Sequence, residues 1–68
     1  MSLQAKVLEL TSRSQAVQAT FAGLNQLHMA AVLQHDSRRE TELREEIHAT
    51  VDALLDVQAE MIQVMEQQ

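Results

Sequence analysis

Apolar residues recur along this chain at alternating steps of four and three. Leu3, Val7, Leu10, Ser14, Val17, Phe21, Leu24, His28 and Ala31 form one series; Leu43, Ile47, Thr50, Leu54, Val57, Met61 and Val64 form another. Such spacing holds every member on one stripe of an α-helix, the a/d stripe of helices packed along a common seam. Between the series lies His35-Asp36-Ser37-Arg38-Arg39-Glu40. Ser37 followed three residues later by Glu40 fits a capping box, and Glu40 and Glu42 suit the positive end of a new helix. The pattern predicts a helix over residues 2–34, a tight turn, and a second helix over 38–66 in which Glu40 pairs with Arg44. A chain turning near Asp36 sets its helices antiparallel and places His48 opposite Asn25. Two rivals compete with this all-α antiparallel helical hairpin. One is a single unbroken rod, since nothing at 34–38 is a strong breaker. The other is a bend at Gly23, which costs a helix interior about 1 kcal/mol relative to Ala.

The second helix carries more apolar surface than one neighbour would cover. Beside its seam runs another stripe, Val51, Leu55, Gln58, Ile62 and Met65, again in steps of four and three. Two adjacent stripes call for two packing neighbours, and a chain this short rarely recovers its conformational entropy from one interface. Residues 1–68 are therefore expected to form one hairpin domain that dimerises into a four-helix bundle. Leu24, Ile47, Val51, Leu54, Leu55, Ile62 and Met65 are its expected core and dimer residues.

Composition agrees with helices and removes several kinds of chemistry. Pro is absent and Gly occurs once, so hairpin turns and phosphate-cradling loops lack their usual material. No cysteine is present, which excludes disulfides, thiolate zinc sites and thiol catalysis. The formal net charge is −5, and it is unevenly spread. Residues 1–35 hold Lys6, Arg13 and Glu9, while residues 36–68 hold three Arg against nine acids. The only cation cluster, Arg38, Arg39 and Arg44, is interleaved with Glu40, Glu42, Glu45 and Glu46. Nucleic-acid binding needs a denser basic patch, and an acidic membrane surface would repel the second half. Glu9 interrupts the apolar run after Lys6, unlike a secretory leader. Gln and Asn punctuate the uncharged stretch 14–35, unlike a membrane span. A cytoplasmic protein is expected.

Candidate chemistry is sparse. His28 and His35 are seven residues apart and His48 sits on the other helix, without the short spacing of a zinc site. Asp52, Asp56 and Glu60 step by four down one helix, and Glu45 precedes His48 by three. Di-iron bundles use such Glu-x-x-His pairs in several copies; here it occurs once, and a solvated acidic face is expected. Glu42-Leu43-Arg44-Glu45-Glu46-Ile47, continued by Val51-Asp52-Ala53-Leu54-Leu55, resembles the opening helix of the helical chorismate mutases. Those enzymes hold a dicarboxylate with several cations, and this chain has none after Arg44, so the resemblance transfers no site. In length and plan the chain also resembles the small RNA-binding helical hairpin dimers of plasmid copy control, but helix one has few cations for RNA. No catalytic residue, metal ligand or cofactor is expected, and no enzyme.

A largely uncharged surface is left. Leu27, Met29, Ala30, Val32 and Leu33 lie outside the seam of helix one, making its last turns apolar nearly all round. Exposed apolar patches of this kind mark interaction sites, and Met and Arg suit them. Met29, Leu33, Arg38, Arg39 and Glu42 are the expected protein-binding residues. The expected function is a small non-enzymatic regulator or inhibitor, of the bacterial or phage anti-activator or immunity type, whose homodimer sequesters a protein target. The alternatives are a secretion or flagellar chaperone holding an export substrate, and a purely structural coiled-coil segment.

Overall fold

A computed structural model of the chain describes residues 2–67. It holds two helices, α1 over Leu3–Leu33 and α2 over Ser37–Glu66, packed against one another in a rod of 50 × 14 × 13 Å. Both helices are unbroken, so α1 continues through Gly23 and the chain reverses at residues 34–36. The hairpin is the architecture seen, and the rod and the Gly23 bend are not.

Each helix end has a local cause. Ser2 caps α1, its hydroxyl accepting from the Ala5 N–H at 3.1 Å. At the other end of α1 the Asp36 N–H donates to the Ala31 carbonyl at 3.0 Å and the His35 N–H to the Val32 carbonyl at 3.1 Å. These two bonds are those of a Schellman motif, which needs a left-handed residue just past the helix. His35 supplies it at φ 56°. The expected capping box at Ser37 and Glu40 is not the device that starts α2. Asp36 is the cap, its carboxylate accepting from the Arg39 N–H at 3.1 Å, and Ser37 is already helical. Aspartate satisfies the orphan amide as well as serine does and also brings a negative charge to the helix start.

The interface between α1 and α2 follows the two seams. Leu10, Ala31, Leu43, Val57 and Val64 are buried, with Leu10 and Leu43 wholly so. Val7, Ser14, Val17, Phe21, Leu24 and His28 are half-buried on α1, as are Ile47, Thr50, Leu54 and Met61 on α2. Glu40, one step before Leu43 on the same line, is also half-buried. The expected Glu40–Arg44 pair is replaced by Glu42 ion-pairing with Arg38 at 3.4 Å and Arg39 at 3.6 Å. Glu40 is turned toward α1, whereas Glu42 lies beside both cations.

Candidate protein interaction surface

The seam fixes the register and one ion pair marks a side. Val7 and Met61 pack with Leu10, Val57 and Val64, and seam meets seam where residue numbers add to about 71. The Arg13 guanidinium bonds the Glu60 carboxylate at 2.9 Å, both side chains leaning toward their own helix N-termini to meet. Arg13 and Glu60 each come one residue before a seam position. In an antiparallel pair all such residues fall on one side of the hairpin, and those one residue after a seam position fall on the other.

The two sides differ in kind. The first holds Lys6, Glu9, Arg13, Arg39, Glu42, Glu46, Asp56 and Glu60 around a run of small residues. There Ala16, Val17, Thr20, Ala49, Thr50 and Ala53 line an open groove of about 310 Å³. The groove's hydroxyls are engaged locally: Thr20 Oγ1 donates to the Ala16 carbonyl at 3.1 Å and Thr50 Oγ1 to the Glu46 carbonyl at 2.9 Å. Neither is free to act as an activated nucleophile, which needs a neighbouring base. We call this the groove flank.

The opposite flank is made by Gln4, Leu8, Thr11, Gln15, Gln18, Ala22, Asn25, Met29 and Val32 of α1. From α2 come Arg44, His48, Val51, Leu55, Gln58, Ile62 and Met65. Arg44 is its only permanently charged residue. Leu8, Met29, Val32, Val51, Leu55, Ile62 and Met65 are all exposed there, from 37% at Val51 to 66% at Leu8 and Met65. At the open end it adjoins an apolar cleft of about 70 Å³ lined by Val7, Leu10, Met61, Val64 and Met65. Seven exposed large apolar side chains on one face, interspersed with uncharged polar ones, form the kind of surface that marks a contact site. We call it the uncharged flank.

The residues expected to form the core divide between these environments. Leu24, Ile47 and Leu54 are half-buried in the seam, while Val51, Leu55, Ile62 and Met65 are exposed on the uncharged flank. Within one chain α1 covers mainly the adjacent stripe and leaves these four exposed, with Met65 reaching the edge of the cleft beside Val7 and Leu10. The residues expected to bind a target do not form one patch. Met29 belongs to the uncharged flank and Arg39 and Glu42 to the groove flank. Leu33 and Arg38 point outward near the turn, Leu33 at 75% exposure and the Arg38 side chain at 91%. They share the turn end of the rod and not a side. The sequence pattern does not single out Leu8 and Thr11, because their neighbours on the flank come from α2 and join them only once the helices lie side by side.

Titratable groups are similarly dispersed. Asp52 points outward, whereas Asp56 and Glu60 lie on the groove flank, Glu60 with Arg13. His48 is on the uncharged flank, His35 is in the turn, and His28 is in the seam with its Nε2 buried and without a hydrogen-bond partner. Among the described residues no three His, Asp or Glu side chains gather as a metal-holding group, and no helix is long and apolar enough to cross a membrane. Compared with known proteins, the chain matches no family model, and neither a curated protein nor a solved structure is significantly similar to it.

Proposed function

We propose that this chain is a small non-enzymatic regulator that acts by protein–protein contact alone, as a homodimeric helical hairpin that sequesters a target protein. The uncharged flank carries the proposal. Seven exposed large apolar side chains lie along it, while all ten acids and four of the five cations lie elsewhere or in the seam. A surface whose one permanent charge, Arg44, lies near the turn end suits burial against another helical face, since burying an unpaired charge is costly. Self-association would cover this flank. Leu33, Arg38 and Arg39, which project from the turn end, would stay accessible for the target, with an apolar anchor bordered by Arg.

The test is capture of the target from the native host on the tagged chain, wild type against Leu33→Glu and against the pair Arg38→Ala, Arg39→Ala. One stoichiometric protein is expected on the wild type and a loss of at least about tenfold, worth 1.4 kcal/mol, in each variant, with helicity and dimer mass unchanged. Retention that ignores both variants contradicts the turn-end site. A wild-type chain that is a stable dimer only when its partner is co-expressed favours the export-chaperone alternative.

A further inference from the structure

We infer that the self-association proposed above is made by α2 against α2. The stripe of Val51, Leu55, Ile62 and Met65 packs on the same stripe of a second copy, and α1 stands at the margin of the contact. The inference rests on the homodimeric reading and adds to it which helix forms the contact.

The two helices share the uncharged flank unequally. On α2, Val51 is 37% exposed, Leu55 and Ile62 56%, and Met65 66%. With Gln58 they follow one another in steps of four and three, the spacing that carries the seam with α1. On α1 the large exposed apolar residues of this flank lie only toward its ends, Leu8 at one and Met29 and Val32 at the other. Thr11, Gln15, Gln18, Ala22 and Asn25 fill the length between, all exposed. A helix with two adjacent stripes has places for two neighbouring helices, and α1 occupies one. Interfaces combine an apolar centre with a polar margin. Here α2 supplies the centre, and the amides of α1 supply a margin that stays in contact with water.

Area and charge select a second copy as the occupant. A flank 50 Å long and 14 Å wide presents about 700 Å², close to the roughly 800 Å² that each partner contributes to a standard interface. A second copy brings a stripe of the same spacing, equally uncharged, and contact between identical patches closes as a two-fold dimer. The acids of α2 stand clear of the stripe. Glu45, Asp52 and Glu66 share its outward line, and Glu42, Glu46, Asp56 and Glu60 lie on the groove flank. Pairing through the groove flank instead would bury eight ionised side chains, among them the solvent-facing Arg13–Glu60 pair. Laid on the partner's α1, the stripe would meet side chains from the polar stretch between Leu8 and Met29. Amides there would lose water without gaining polar partners.

The test is the dimer dissociation constant of the whole chain by sedimentation equilibrium. Wild type is compared with Leu55→Glu on the stripe, Gln18→Glu on the α1 part of the same flank, and Ala53→Glu on the groove flank. Leu55→Glu should weaken the dimer at least about tenfold, and the other two by less than about threefold. Weakening by Gln18→Glu as large as that by Leu55→Glu would put α1 in the centre of the contact. That result overturns the inference and leaves the homodimer standing. Weakening by Ala53→Glu alone would place the interface in the groove and also overturn it. A wild-type chain that stays monomeric overturns both readings. If Leu55→Glu fails to fold, single Leu55→Cys and Gln18→Cys variants decide, since the chain has no cysteine of its own. Alkylation of the thiol in Leu55→Cys should slow at least about tenfold on passing from dilute monomer to concentrated dimer, and that in Gln18→Cys should not. Equal protection of the two thiols, or a dimer that protects neither, overturns the inference.

Discussion

Three residues sit in conformations or surroundings that their side chains do not favour. His35 occupies the left-handed region at the end of α1, where a β-carbon costs roughly 1–2 kcal/mol. His35→Gly should stabilise the chain by about 1 kcal/mol in urea melts at fixed protein concentration, and His35→Val should destabilise it, because a β-branched residue tolerates positive φ poorly. Gly23 lies inside α1, and a β-carbon built there meets nothing within 4 Å. Gly23→Ala should therefore add up to about 1 kcal/mol, visible as a higher midpoint with unchanged helicity. His28 fills a seam position with an unpartnered buried Nε2, and an unsatisfied buried polar atom costs about 1–3 kcal/mol. Leu at 28 removes the orphan and should raise the melting temperature. A fall on His28→Leu would show that the imidazole has a partner in the assembled protein.

At the scale of the helices, the seam holds the hairpin and the flanks do not. Leu43 is wholly buried, so Leu43→Ala should cost about 2–5 kcal/mol and strip most of the helical circular dichroism. Ile62 is 56% exposed in the hairpin, so Ile62→Asp should act through self-association, lowering helicity and melting temperature most at low protein concentration. Arg13 and Glu60 pair across one side of the seam, yet both side chains are more than two-fifths exposed, and such pairs contribute little energy. Much of this level was legible beforehand. Four-three steps from Leu3 to Ala31 and Leu43 to Val64 mark the seam, and the turn near Asp36 sets the helices antiparallel. The start of α2 lies one residue before the position the sequence predicts, because Asp36 and Ser37 are both good caps and only the backbone decides between them. Spacing alone pairs Glu40 with Arg44, but Glu40 stands on the seam line and is half-buried. The uncharged flank was legible only in half. Val51, Leu55, Ile62 and Met65 stand out as a stripe on α2, but Leu8, Thr11 and Gln15 join them only when the second helix lies alongside.

The whole molecule is a 50 Å rod whose two long sides differ in charge, and that asymmetry is the basis for its proposed behaviour. One side is solvated by ionised groups; the other would expose apolar area from end to end if the chain stayed single. A lone hairpin of this size has little core with which to offset its conformational entropy, so folding and self-association should be linked and the melting temperature should rise with protein concentration. Sedimentation equilibrium of the wild-type chain at tens of micromolar, with helicity recorded on the same samples, measures this directly. A helical species of about 15 kDa, twice the 7.7 kDa chain, is the predicted result. A stable, fully helical species at 7.7 kDa that stays monomeric as concentration rises would contradict it, for the uncharged flank would then be at ease in water.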